Sequence, residues 1–226
     1  MKTAMRAALA LLLVATATGL PAEAPAAGGD EAAGEQAAQA EAPTARALYV
    51  PPRLGKPRER VGGGVRSLQE TGPELYALVP DHAGQTVSAE PSLFWVLGRE
   101  LPAGASLVFT LIDEEQVDPL VEAELPAPQA PGIQRIDLAR HGVGLELGRD
   151  YEWSVALVRD AERRSNDVTA VGWIDRVEPP AGLGASPDAR GYAAHGLWYD
   201  ALAAAEDPAL RDELLREVGL ERAGPR

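Results

Sequence analysis

From Asp150 to Asp160 the chain reads DYEWSVALVRD, with Tyr151, Trp153, Val155, Leu157 and Arg159 alternating against Glu152, Ser154, Ala156, Val158 and Asp160. Successive side chains of an extended strand point to opposite faces, so this alternation predicts a long strand with one face in a core. Leu147-Gly148 lies just ahead, and a tyrosine at the start of such a strand can bond back to the preceding turn. Aromatic residues are only 5% of the chain, so its few tryptophans must carry much of any core.

The flanking sequence supplies partners for that strand. Leu75–Val79, Gln85–Ser88, Glu90–Leu97, Ser106–Asp113, Val117–Leu125, Gly132–Leu138 and Val168–Val177 are apolar or alternating runs separated by turn residues. Pro91 cannot donate to a ladder and belongs at a strand start or edge, and Pro119 interrupts the Val117 run. Short strands at this spacing, with no helical period between them, predict a mainly β domain over 75–178, an antiparallel β-sandwich. Pro91-x-x-Phe94-Trp95 followed by Leu147-x-x-x-Tyr151-x-Trp153 looks like fibronectin type III and related immunoglobulin-like modules. There is no cysteine to form the immunoglobulin disulfide, so Trp95, Trp153 and Trp173 are expected to fill that space.

Beyond a Pro/Gly/Ser linker at 179–190, Tyr192–Ala205 carries a helical stripe of Ala194, Trp198, Ala201, Leu202 and Ala205. Asp207-Pro208 reads as an N-cap with proline at the first helical position, and Gly219 as a C-terminal cap. A two-helix hairpin over 191–220 is expected. One such unit cannot bury its apolar face alone, so it should dock on the β domain or on a partner.

Residues 1–24 have the form of an export signal. Lys2 and Arg6 precede an apolar run from Ala7 to Ala15, and Ala22-Glu23-Ala24 offers a small-x-small cleavage site. The run is well short of the roughly 20 residues that span a bilayer, so no membrane span is expected after cleavage. The expected location is periplasmic or extracellular. Residues 25–47 are rich in Ala, Glu, Gln, Pro and Gly and read as a disordered linker. The formal net charge is -13, which argues against nucleic acid or an anionic membrane as partners of the whole body.

Against that acidic background, residues 48–74 form a Pro/Gly/Arg-rich arm beginning LYVPPRLGKPRERVGGGVR. Its prolines hold it extended, and its consecutive glycines can turn backbone N–H groups inward as an anion-binding nest. Arg53, Arg58, Arg60, Gly62, Gly63, Gly64 and Arg66 are the candidate binding residues, because arginine forks suit carboxylate or phosphate. The competing reading makes the same arm a strap over the sandwich, its arginines paired with the acidic body. The glycines match neither a Walker nor a Rossmann pattern.

Three stretches together resemble an uncharacterised family of exported bacterial proteins, the domain of unknown function 928. They are Tyr49-Val-Pro-Pro-Arg53 through Gly62-Gly-Gly-Val-Arg66, then Leu75 to Trp95, and last the Gly172-Trp173 strand with Gly196-Leu-Trp-Tyr-Asp-Ala-Leu202. The resemblance covers about Leu48 to Leu220. It implies an envelope or secreted location and brings with it no established reaction, cofactor or catalytic residue.

The residues themselves offer no catalytic motif. No Gly-x-Ser-x-Gly elbow exists, and without cysteine there is neither a thiol nucleophile nor a thiolate metal site. His82, His141 and His195 are far apart in sequence with no second histidine at ligand spacing. Asp113-Glu114-Glu115 with Asp118 lacks the pattern of a calcium loop and reads as a solvated turn. Trp198 and Tyr199 could stack on a sugar, though Trp198 lies on the apolar stripe of its helix, which favours packing. The expectation is a non-enzymatic binding module, without cofactor or metal, that engages an envelope protein or acidic polymer. The alternative is a carboxylate-dependent hydrolase or lyase on an envelope polysaccharide.

Overall fold

The computed structural model describes residues 47–52 and 75–220. The expected signal, nearly all of the linker and most of the arm lie outside them.

The alternating run forms as read. Strand β7 (Asp150–Val158) pairs antiparallel with β4 (Ser106–Asp113), setting Val155 opposite Phe109 and Trp153 opposite Leu111. Its other neighbour is β8 (Val168–Arg176), also antiparallel, with Trp153 opposite Gly172. Strand β5 (Val121–Leu125) closes the β4 side, and β2 (Gly84–Thr86) lies along β8, giving the order β2-β8-β7-β4-β5. A second sheet holds β1 (Leu75–Ala77), β3 (Ser92–Leu97) and β6 (Gly132–Asp137) in the order β1-β3-β6, all antiparallel. Leu107, Phe109, Leu111, Trp153, Val155 and Leu157 from one sheet and Leu93, Trp95 and Leu97 from the other belong to one apolar cluster. Each side chain of that size contributes roughly 1.5–3 kcal/mol on burial.

Tyr151 makes the expected turn-back bond: its hydroxyl accepts from the backbone N–H of Glu146 at 2.8 Å. Gly148 takes φ +74° in the same turn and donates to the Arg176 carbonyl. The start of β7 is thus fixed to the end of β8.

Four expectations are corrected. The sheets are not wholly antiparallel, because β2 runs parallel to β8. Such a pairing needs a long crossover, and the whole chain between Thr86 and Val168 supplies it. Several strands are also shorter than the alternation suggests. Pro119 stays out of β5, and Pro91 precedes β3 and accepts the Leu138 N–H on its carbonyl.

The C-terminal segment is three helices, not a two-helix hairpin: α1 (Ala189–Ala194), α2 (Trp198–Ala204) and α3 (Pro208–Glu217). The break falls at Gly196, which takes φ +77°, and a Cβ there would sit 2.9 Å from the Val50 carbonyl oxygen. The cap at Asp207 is as expected, its carboxylate accepting from Ala209 N.

Trp173, finally, does not fill the core. It lies on the outer face of β8 opposite Glu152 and is half-buried, whereas Trp198 of α2 is fully buried and donates its Nε1–H to the Leu78 carbonyl at 2.9 Å. The inner position next to Trp173 is Gly172, and the Trp153 indole occupies the space a side chain there would need.

Residues 48–50 are part of the folded body. The N–H groups of Leu48 and Tyr49 both donate to the Glu217 carboxylate, at 2.7 and 2.6 Å, and Val50 N donates to Ala193 O. Tyr49 packs edge-on to Trp198 with centroids 5.2 Å apart, and its hydroxyl lies 2.9 Å from His82 Nε2. Burial pushes the Tyr49 phenol well above its ordinary range.

Candidate functional site

The polar residues inside this body are mostly committed to holding it together. Asp113 ends β4 and was expected in a solvated turn, yet it is buried. Its carboxylate accepts from Glu115 N at 2.9 Å, Gln116 Nε2 at 3.0 Å and Arg149 Nη1 at 2.6 Å. The Glu115 amide, the largest influence, and then the Gln116 and Arg149 bonds hold the Asp113 carboxyl below its usual range, against the opposing effect of burial. A depressed folded pKa stabilises above the unfolded value and is lost as pH falls through the folded one. Asp113→Asn should therefore lower Tm by roughly 2–5 °C at neutral pH. Thermal melts from pH 7 to pH 2 should show that gap closing below about pH 4, the ordinary aspartate range. A gap independent of pH would mean the charge on Asp113 contributes nothing.

Asp200 behaves in the opposite sense. It lies in the first turn of α2 and accepts Val87 N on Oδ2 at 3.1 Å, tying that helix to the segment after β2. Burial, its largest influence, holds the Asp200 carboxyl above the usual range, with the Thr86 hydroxyl and nearby backbone amides opposing.

Asp200 also lines a cleft of about 230 Å³ between α1–α2 and the β2–β3 connection, with Glu90, Ser88, Ser92 and Tyr192 supplying its other polar groups. Two of these are engaged: Ser92 donates to Asp137 Oδ1 at 2.8 Å, and Ser88 Oγ accepts from Glu90 N at 3.1 Å. An exposed carboxylate sharing a cleft with one kept above its ordinary pKa is a combination that acid–base chemistry uses. Nothing in the sequence joins these residues, because Asp200 and Val87 are 113 positions apart. The available signal was an aspartate on a helix whose other face is apolar.

The residues singled out from the sequence are placed as follows. Arg53, Arg58, Arg60, Gly62, Gly63, Gly64 and Arg66 all lie outside the described residues. The three histidines are apart: His82 beside Tyr49, His141 tilted on Phe109 at 5.3 Å, and His195 with Nδ1 2.9 Å from Gly191 O. Among the described residues no group of three His, Cys, Asp or Glu could hold a metal ion, and no helix is long and apolar enough to cross a membrane. Tyr199 is fully buried and unavailable to a sugar. Its hydroxyl accepts from Trp153 Nε1 at 2.8 Å and donates to the Trp173 carbonyl at 2.9 Å.

Among the described residues, fold and site define a mainly β protein with two sheets, one of them mixed, and a few C-terminal helices, with a small acid-lined cleft beside α2. The chain belongs to the family described as Domain of Unknown Function (DUF928), whose model matches residues 61–222. No curated protein matches the chain.

Proposed function

We propose that this protein is an exported, non-enzymatic binding module of the cell envelope. In this reading the two sheets are an immunoglobulin- or fibronectin-III-like sandwich, and the basic arm engages an acidic envelope protein or polymer. The carrying observation is how the body spends its polar groups. Asp113, Asp137, Asp200 and Tyr199 are all bonded to groups that position strands and helices. To this the sequence adds a charge contrast between an acidic chain and a segment bearing Arg53, Lys56, Arg58, Arg60 and Arg66.

The test is affinity capture from envelope extract with the chain from Pro25 onward, beside its Arg58→Glu/Arg60→Glu version. One acidic partner should be enriched, be weakened by salt and be lost from the double variant, because exposed charge contacts are screened and reversed together. Binding that survives the reversal would remove the arm as the contact.

A second reading, a carboxylate-dependent hydrolase or lyase on an envelope polysaccharide, is favoured by the pairing of Glu90 and Asp200 in one cleft. It requires that purified protein shorten an acidic or neutral glycan and that Asp200→Asn abolish the cleavage. Absence of product from both would leave the binding module.

A further inference from the structure

Strand β5 is the last of the five-stranded sheet, and among the described residues no strand pairs with its far side. The ladder decides which of its backbone groups point that way. A strand residue aims its N–H and C=O to the same side, and successive residues alternate sides. Glu114 N donates to the Asp150 carbonyl, continuing the register that sets Ile112 opposite Glu152. The even positions of β4 therefore bond to β7, and the odd ones, Leu107, Phe109 and Leu111, bond to Leu125, Ala123 and Val121 of β5. The N–H and C=O groups of Glu122 and Glu124 are left facing outward along the edge. Both side chains are exposed, and neither has a hydrogen-bond or ion-pair partner among the described residues.

Side chains sort by the same alternation. Val121, Ala123 and Leu125 pack against the core, whereas Glu122 and Glu124 stand on the outer face opposite Thr110 and Val108. Charge along this part of the chain has one sign. No Lys or Arg occurs between Arg99 and Arg135, a stretch that also carries Glu114, Glu115 and Asp118. Pro119 and Pro126 bound the edge, so it has room for one short strand.

We propose that the open edge of β5 is the docking site for a short extended segment of another protein, one in which Lys or Arg alternates with apolar residues. Added as a sixth strand, that segment takes up the outward amides and carbonyls of Glu122 and Glu124, and main-chain bonds of this kind supply affinity in strand addition. Its cations share the outer face with the two glutamates, and its apolar side chains lie beside Ala123 and Leu125, which are half-buried. Charge also decides against a second copy of this chain, since β5 beside β5 would set the glutamates of one against those of the other. The partner here is basic where the one proposed above is acidic, so the inference goes beyond the binding reading and can fail without it.

The test is fluorescence anisotropy on the purified full chain with a labelled peptide, Val-Lys-Val-Arg-Val-Lys-Val, beside a version carrying Glu in place of Lys and Arg. The basic peptide should bind and the acidic one should not. Methyl groups on one alternate set of peptide amides should weaken binding by more than about ten-fold, and on the other set by less than about two-fold, because only one set meets the edge. Glu122→Lys with Glu124→Lys should reverse the preference, so that the acidic peptide binds instead. Glu124→Pro should abolish binding and melt close to Glu124→Gln, since an edge strand tolerates proline where the N–H faces outward. Should the proline variant misfold, the methylated peptides still decide on the unmodified chain. Equal weakening by both methyl sets, or basic-peptide binding that survives the double reversal, would mean attraction to the acidic surface at large and would overturn the proposal. So would the absence of binding, or a dimer of the chain that Glu124→Pro dissolves, which would give the edge to a second copy.

Discussion

Gly172→Val should destabilise the domain by about 3–5 kcal/mol, a large share of the roughly 5–15 kcal/mol that holds such a fold. An added Cβ at Gly172 would lie 2.7 Å from Trp153 Cε2 and 2.8 Å from both Cζ2 and Nε1. Flexible side chains relieve such a clash by turning away. This indole cannot, because it is fully buried and its Nε1–H is bonded to the Tyr199 hydroxyl, which is bonded in turn to the Trp173 carbonyl. The ring must either compress against β8 or give up the tyrosine, leaving buried polar groups without partners. Overpacking costs roughly 1–3 kcal/mol, and an unsatisfied buried group about as much again. Urea unfolding followed by tryptophan fluorescence would measure this. Gly172→Ala should move the midpoint in the same direction by about half as much. An alanine variant with an unchanged midpoint would mean that the indole is not lying across β8.

Trp198→Ala should cost about 3–5 kcal/mol, the usual range for deleting a buried tryptophan. The residue is 0% exposed, its indole N–H donates from α2 to the Leu78 carbonyl, and Tyr49 packs on its edge. Its removal thus opens a cavity where the β1 side of the structure, the helices and the N-terminal segment meet. Trp198→Phe keeps most of the area and loses the hydrogen bond, so about 1–2 kcal/mol is expected. The shape of the transition carries information as well. If the helices are part of the same cooperative unit, far-UV and near-UV signals will be lost together in both variants. A cost below about 1 kcal/mol for the alanine variant would show that the helices add little to the core.

Much of this architecture was legible where a strand is long and one of its faces is buried. Ser106–Asp113 has the same bounds in sequence and structure, and the Tyr151 bond was readable from the spacing of tyrosine and turn. The failures share a cause, which is that short elements take their partners from the rest of the molecule. Three residues of β2 carry no signal for direction, so its parallel pairing with β8 is set by the edge it meets. In β8 the tryptophan was read as inward. The inner side of that strand is instead Ala170, Gly172 and Ile174, and Trp153 from β7 fills the space a side chain at Gly172 would need. The break at Gly196 had a visible signal in the glycine, but its reason, the close approach of Val50, lies 146 positions away. The candidate residues of the arm lie outside the described residues, and the Asp200 cleft arises only when α2 meets the β2–β3 connection.

One carboxylate near the end of the chain imposes an order of assembly. Glu217 binds the amides of Leu48 and Tyr49 from the last turn of α3. A chain that emerges N-terminus first therefore carries Leu48 and Tyr49 without that anchor until α3 has been made. Sheets can pair before then, but Tyr49 cannot be held in place beside Trp198 until α3 arrives. A chain truncated before Glu217 should keep its strands while leaving Leu48–Val50 open to proteases.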